Sequence, residues 1–473
     1  MKELLKLCGF EPKDIEKEMP RIRRTFDKLQ INDKDIDFAK ERLNKYFEID
    51  LKGVRMMLKI YITEMVRLVL AKEENESLKV LYAALPSLTG DLVGAATLVK
   101  ENVYGGFPEP MMLLTYGSIF HKFDRVWEAA ENSGLVPETA HCGCNQAKLG
   151  MQLLNVIPRP DLLVSFGTYC DDAWKTDDFM QNYLGIPIVY VNRVQDTNWK
   201  EEIPERDVQY FADQLRKAAK KIGEVIGGEI TDANMWQCLL ENREYMQFVE
   251  KIVQLSINAD PVTISANTML MVFFLYAVNV NPENRALKLE SIKTLFKEVQ
   301  QKADRGQGFY QKGAPRIALA SFPPIVGPDF DYCVRDLGLS VPVWEAQWWV
   351  PDAEIAPMVP VEELDPFRIQ ARTFLLSPLI TPPAKRISTA VKAAKKWNLD
   401  GYLGIPHYSC RPFMADALMF KDAVKKATGL PATVLEADVY DYRHYTIEQQ
   451  RTRLESFAEM CKFAKMKKMA KAA

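Results

Sequence analysis

The stretch Asp400-Gly-Tyr-Leu-Gly-Ile-Pro-His-Tyr-Ser-Cys-Arg-Pro-Phe413 decides the fold. Its apolar run, residues 402–406, opens at an Asp-Gly turn and reaches Cys410 just before a helical pattern over residues 413–428. This order predicts a buried parallel strand followed by a helix, and a second apolar run from Ala432 completes a strand-helix-strand unit. Because open α/β sheets place their chemistry at the carboxyl ends of strands, we expect Cys410 at a functional edge.

An earlier segment repeats this plan. The run that starts at Asp161 ends at Cys170, a helical stretch follows, and Gly185-Ile-Pro introduces another apolar run over residues 188–191. Two similar units in one chain predict two related α/β domains, each with a cysteine at a strand end. If the two units face each other, Cys170 and Cys410 come close together.

The remaining patterns predict the domain organisation. Residues 1–75 have apolar positions three or four apart, which is typical of helices. We predict four regions in the chain: a helical N-terminal region at 1–75, a first α/β domain at 76–204, a helical block at 205–310 and a second α/β domain at 311–473. Within the first domain we expect a strand at 111–115 and a helix at 120–133.

Composition narrows the class of protein. The 473 residues are 48% hydrophobic and 26% charged, which is ordinary for a globular protein, and 61 Lys and Arg against 63 Asp and Glu give no indication of nucleic-acid binding. The chain starts without a signal-peptide pattern, and its longest apolar run, residues 269–278, is about half of a membrane span. We therefore expect a cytoplasmic protein that is not in a membrane, whose eight cysteines are reduced thiols or metal ligands.

The positions of the cysteines suggest a shared site. Cys142 and Cys144 lie in His141-Cys-Gly-Cys, at an expected strand-to-helix junction where a thiolate can bind metal. Three thiolates, from Cys142 or Cys144 together with Cys170 and Cys410, and one open position would suit an iron–sulfur cluster that meets a substrate. The alternative is a set of separate thiols, as we expect for Cys238 and Cys333, which lie among apolar helix positions.

The last segment adds a resemblance to a known family. Glu436-Ala-Asp-Val-Tyr-Asp-Tyr-Arg-His-Tyr445, together with Asp400-Gly and His407-Tyr-Ser-Cys-Arg-Pro412, resembles the C-terminal signature of the 2-hydroxyacyl-CoA dehydratase and benzoyl-CoA reductase family. The match is specific over residues 400–460, looser over 142–196, and weak in the N-terminal third.

The resemblance implies a fold and a cofactor. It implies a helical layer, two flavodoxin-like parallel-sheet domains, and a [4Fe-4S] cluster that three cysteines hold between those domains. Cys170 and Cys410 match the family pattern directly. For the first ligand, the spacing to Leu149-Gly150 favours Cys142 and leaves the adjacent Cys144 as the alternative, because the family usually has a single cysteine there.

The resemblance also implies an activity. Members of the family remove water from 2-hydroxyacyl-CoA thioesters through one-electron reduction of the thioester to a ketyl radical anion, and we expect this lyase activity first. The alternatives are an ATP-dependent reductase of an aromatic acyl-CoA, of the benzoyl-CoA type, and a non-catalytic electron-transfer subunit. The implied partners are a homologous second subunit in a heterodimer, an ATP-dependent activator with its own iron–sulfur cluster, and the acyl-CoA substrate.

Two groups of polar residues are further candidates. His407 and Ser409 precede Cys410 and are placed to move protons or polarise a bound oxygen, so we name them as catalytic candidates. Asp438, Asp441, Arg443 and Arg453 are expected to form a cap and ion-pair network at the last strand-to-helix turn. In the alternative, Arg443 or His444 contacts the acyl-CoA or the partner.

Overall fold

The structure is a computed structural model. It describes residues 1–83, 90–136, 141–166, 170–192, 203–278, 281–320, 322–347, 364–376, 382–406 and 410–472.

The first half of the chain contains a helical layer and a first sheet region. The layer comprises α1 (Lys2–Leu7), α2 (Pro12–Leu29), α3 (Asp33–Tyr46) and α4 (Lys52–Glu74). The sheet region comprises β1 (Lys79–Ala83), α5 (Gly90–Ala96), β2 (Val103–Gly106), α6 (Pro108–Met112), α7 (Asp124–Asn132), α8 (Gly143–Leu153), β3 (Leu162–Phe166), α9 (Asp171–Leu184) and β4 (Ile188–Val191).

The second half contains a helical block and a second sheet region. The block comprises α10 (Glu205–Ile226), α11 (Asp232–Asn258), α12 (Ala266–Val278) and α13 (Arg285–Asp304). The second sheet region comprises β5 (Arg316–Leu319), α14 (Phe330–Asp336), β6 (Ser340–Trp344), α15 (Pro366–Leu375), α16 (Pro383–Lys396), β7 (Gly401–Gly404), α17 (Arg411–Thr428), β8 (Ala432–Val434) and α18 (Ile447–Ala472).

The two sheets have the same topology. The first has the strand order β2-β1-β3-β4 and the second the order β6-β5-β7-β8, and all of the described pairs are parallel. Both orders agree with the start of the flavodoxin-like arrangement, in which the connections change direction between the first and third strands. The prediction of an α/β protein with two parallel sheets is confirmed, while the domain boundaries stay a prediction.

The central strands are buried on both faces. Every residue of β3 and of β6 is buried, as expected when helices cover both sides of a parallel sheet. Short continuous apolar runs such as Leu162-Leu-Val and Ile317-Ala-Leu satisfy this requirement. Helices therefore enclose the sheets, and the free ends of the strands are the places where polar chemistry can be exposed.

The N-terminal layer packs against the helical block. An added Cβ at Gly53 would lie 2.6 Å from the Leu295 Cβ, so glycine lets α4 approach α13 closely. The Glu298 carboxylate accepts hydrogen bonds from the backbone N–H groups of Lys52 and Gly53, both at 2.8 Å. A carboxylate at a helix N-terminus stabilises the helix, so these contacts fix the first turn of α4 against α13.

A loop of the second sheet region joins it to the first. The Tyr442 hydroxyl donates to Oδ2 of Asp124 at 2.6 Å and accepts from the Phe123 backbone N–H at 2.7 Å. Its ring stacks on His121 with a centroid separation of 3.6 Å. Arg443 donates to Glu131 at 2.5 Å, which adds an ion pair between the two regions.

Two local predictions are wrong. Residues 111–115, expected to be a strand, continue the helix that starts at Pro108, because a short apolar run does not distinguish a strand from a buried helix. The helix expected at 120–133 is α7, which begins only at Asp124. His121 lies before it with a φ of 53°, outside helical geometry.

The described helices were also compared with the requirements of a membrane span. None is both long enough and apolar enough to cross a bilayer.

We predict that Tyr442→Phe lowers the free energy of unfolding by about 1–3 kcal/mol, because it removes two buried hydrogen bonds between the sheet regions. Tyr445→Phe is the matched control, since this buried hydroxyl makes no hydrogen bond within the described residues. Chemical denaturation of both variants measures the difference. Equal losses would contradict the role assigned to Tyr442.

Candidate functional site

Three cysteines occupy equivalent places in the local structure. Cys142 is the N-cap of α8, Cys170 the N-cap of α9 and Cys410 the N-cap of α17. Cys170 and Cys410 follow the third strand of their sheets in chain order, where the topology changes direction. The related sheets thus deliver the same residue type to the same position.

Each thiol lies against the exposed N–H groups of its helix. The Cys170 Sγ accepts from the Ala173 backbone N–H at 3.4 Å. The N–H groups of Asn145 and Phe413 lower the pKa values of Cys142 and Cys410 in the same way, although neither forms a hydrogen bond of standard geometry. Because a helix N-terminus carries partial positive charge, all three positions favour a negatively charged group.

The three thiols act on one another electrostatically. Burial is the largest cause that raises the pKa of Cys410, and the charges of Cys170 and Cys142 raise it further. Burial also raises the pKa of Cys142 most, followed by the charges of Asp438 and Cys170. Cys142 and Cys170 are buried and Cys410 is half-buried. The structure therefore brings together the cysteines that the sequence singled out.

This donor set fits an iron–sulfur cluster better than a single ion. Among the described residues, no group of three or more His, Cys, Asp or Glu is arranged to hold one metal ion. The cysteines of a cluster bind separate irons, so they need not converge on one centre. Thiols that are buried and beside helix N-termini also match the need of a negatively charged cluster for compensating charge.

Cys144 is in a different environment from Cys142. It is the second residue of α8 and is 3% exposed. Burial raises its pKa most, and the charges of Glu109 and Lys148 act on it in addition to that of Cys142. Cys144 thus adjoins a buried ion group within the first sheet region, whereas Cys142 caps the helix.

That ion group joins two of the helices capped by cysteine. Lys148 on α8 donates to Oδ1 of Asp177 on α9 at 2.7 Å and lies 3.8 Å from Oε1 of Glu109. The Ser165 hydroxyl on β3 donates to the other Asp177 oxygen at 2.5 Å. All four side chains are buried. The group therefore fixes α8 and α9 relative to each other and to the sheet.

A second buried ion group holds the third helix. Arg386 on α16 contacts both oxygens of Glu345, at 2.5 and 2.9 Å, and donates to Asp416 on α17 at 2.5 Å. The guanidinium carbon also lies 5.1 Å from the ring centroid of Phe413, in the first turn of α17. Bidentate pairing of this kind sets orientation as well as distance, so it positions the helix that starts after Cys410.

Asp438 connects the start of α8 to the second sheet region. One carboxylate oxygen accepts from the Gly143 backbone N–H at 3.0 Å and the other from the Tyr440 N–H at 2.9 Å. An added Cβ at Gly143 would lie 2.9 Å from the Asp441 Cβ, so glycine permits this close approach. The residue after Cys142 is thus fixed by the opposite region of the protein.

The other candidates have different outcomes. His407 and Ser409 lie outside the described residues, so their roles stay predictions. The expected network includes Asp441 and Arg443, which are hydrogen-bonded at 2.7 Å, while Arg453 is exposed on α18. Cys238 and Cys333 are buried in α11 and α14, as predicted.

The sequence reasoning missed the two buried ion groups. A lysine or arginine in an amphipathic helix normally faces solvent, and the partners of Lys148 and Arg386 are 29 to 41 residues away in the chain. The one available signal was Lys148 itself, a charged residue within the otherwise uncharged helix pattern of residues 142–154.

We predict that Asp438→Ala lowers the free energy of unfolding by about 1–3 kcal/mol, since two buried N–H groups lose a charged acceptor. Thermal unfolding should show the loss. The control is Asp336→Asn, whose side chain is 59% exposed and should change stability by less than about 0.5 kcal/mol. Comparable stability of the two variants would refute the linking role of Asp438.

Comparison with known proteins identifies the family. Residues 103–461 match the family model described as 2-hydroxyglutaryl-CoA dehydratase, D-component. A stretch of 76 residues is 32% identical to one of the subunits of benzoyl-CoA reductase from Thauera aromatica and covers 16% of this chain and 18% of that protein. These matches confirm the resemblance inferred from the sequence, and the chain belongs to the 2-hydroxyglutaryl-CoA dehydratase, D-component family.

Proposed function

We propose that this chain is the iron–sulfur subunit of a 2-hydroxyacyl-CoA dehydratase, a lyase that removes water from an acyl-CoA thioester. The observation that carries the proposal is the meeting of three cysteine-capped helix N-termini from two parallel-sheet regions. Membership of the 2-hydroxyglutaryl-CoA dehydratase, D-component family supports the reaction class.

Cys142, Cys170 and Cys410 would hold a [4Fe-4S] cluster, with Cys142 preferred to Cys144 as the first ligand. Cys142 shares its N-cap position with the other two cysteines, and its thiol interacts electrostatically with both. Three protein ligands leave one iron without a cysteine, which is the position where a substrate oxygen can bind.

The chemistry that such a cluster supplies when bound is transfer of one low-potential electron to the thioester carbonyl, giving a ketyl radical anion that expels the neighbouring hydroxyl. The chain supplies the surroundings. Burial of the thiols excludes water, and the two ion groups hold the three helices in fixed positions. We assign His407 to proton transfer and Ser409 to polarising the substrate oxygen, because both immediately precede Cys410 in the sequence.

The proposed assembly contains two further proteins. The sequence lacks the Gly-x-x-x-x-Gly-Lys-Ser/Thr pattern of a phosphate loop, so we assign ATP use to a separate activator with its own iron–sulfur cluster. We further propose a heterodimer with a homologous second subunit. The relative from Thauera aromatica is itself named as one of several subunits of its enzyme, which supports a multisubunit assembly.

The match to a benzoyl-CoA reductase favours a second candidate function, the ATP-dependent reduction of an aromatic acyl-CoA. Both candidates use the same cluster and activator and differ in the acyl group. A third, a subunit that only transfers electrons, predicts a cluster that does not bind substrate.

We predict roughly four irons per chain after anaerobic reconstitution, measured by iron and sulfide analysis with electron paramagnetic resonance. Cys142→Ala, Cys170→Ala and Cys410→Ala should each lose most of this iron, because each removes one ligand. Cys333→Ala, a buried cysteine in α14, is the control and should keep the iron. Iron retained in all three ligand variants, or absent from the unmodified protein, would refute the cluster.

We predict that the assembled enzyme, supplied with activator and ATP, dehydrates a 2-hydroxyacyl-CoA and leaves benzoyl-CoA unchanged. Mass spectrometry of the CoA esters distinguishes the loss of water from the addition of hydrogen. Reduction of benzoyl-CoA without dehydration would establish the second candidate. Turnover of neither class, with the cluster spectrum insensitive to both thioesters, would favour the electron-transfer role.

A further inference from the structure

A buried cation lies beside the thiols assigned to the cluster. Lys148 is 3% exposed and follows Cys144 by four residues, which places both on one face of α8. Burial raises the pKa values of Cys144 and Cys170 most, and the charge of Lys148 acts in the opposite direction on both. Lys148 therefore interacts with cysteines on two different helices.

This cation keeps its charge although it is buried. Burial by itself would lower the pKa of Lys148, but the carboxylates of Asp177 and Glu109 raise it overall. The Lys148 ammonium lies 2.7 Å from Asp177 and 3.8 Å from Glu109, and the Ser165 hydroxyl donates to Asp177 at 2.5 Å. The result is a positive charge held at a fixed place from which water is excluded.

A fixed charge in such a place has a large effect on an electron-transfer centre. Charges interact more strongly where water is absent, because the local dielectric constant is low. Reduction of a cluster adds one negative charge, so a neighbouring cation stabilises the reduced form and raises the reduction potential. Nearby carboxylates have the opposite effect, and the potential depends on the balance between the two.

We propose that Lys148, with Asp177 and Glu109, sets the reduction potential of the cluster. Lys148 does not contact substrate in this role; it is a positioning residue that also acts through its charge. The inference rests on the proposed function for the cluster itself. It assigns a task to a buried ion group that lies within the first sheet region rather than at the surface.

The test is a potentiometric titration of the anaerobically reconstituted full-length protein, followed by electron paramagnetic resonance. Lys148→Met should shift the potential to more negative values, because a positive charge is lost. Asp177→Asn and Glu109→Gln should each shift it to more positive values, because a negative charge is lost. Lys148→Arg keeps the charge and should restore a potential close to that of the unmodified protein.

The opposite signs separate an electrostatic role from a structural one. Lys148→Met leaves two buried carboxylates without their cation and is the variant most exposed to misfolding. Asp177→Asn and Glu109→Gln carry the test if that variant does not fold. Variants that retain iron but keep an unchanged potential, or that all shift in one direction, would overturn the inference. Absence of iron from the unmodified protein would overturn the proposed function, and this inference with it.

Discussion

The structure depends on one constraint, the gathering of three buried thiols at three helix N-termini. Cys142, Cys170 and Cys410 each end a connection and begin a helix, and each thiol interacts with the positive end of its helix. Uncompensated thiolates are costly in buried surroundings, and burial raises the pKa values of all three. An arrangement of this kind is best satisfied by a group that brings its own positive metal centres.

The surrounding architecture serves that constraint. Two sheets with the same strand order place Cys170 and Cys410 at equivalent points, and the pair Lys148–Asp177 and the Arg386 group hold the three helices from within. Asp438 and Tyr442 then join the start of α8 and the start of α7 to the second sheet region. Catalysis on a reactive intermediate needs such fixed geometry, because small misplacements of reacting groups are costly.

Much of this could be predicted from local patterns, and the rest depends on distant contacts. The apolar runs before Cys170 and Cys410 predicted β3 and β7 because a buried parallel strand needs a continuous apolar segment. The run at 111–115 failed by the same reasoning, since a buried helix has the same composition. Lys148 and Arg386 were missed because their partners lie on other helices, and spacing along one helix carries no record of them.

The most direct test of the central claim is anomalous X-ray diffraction at the iron absorption edge, on crystals of the anaerobically reconstituted protein. The account predicts one compact iron peak, bonded to the sulfur atoms of Cys142, Cys170 and Cys410 and bridging the two sheet regions. An iron peak bonded to Cys144 in place of Cys142 would correct the choice of the first ligand. An iron peak away from Cys170 and Cys410, or no iron density at all, would contradict the claim that these helix N-termini share a cluster.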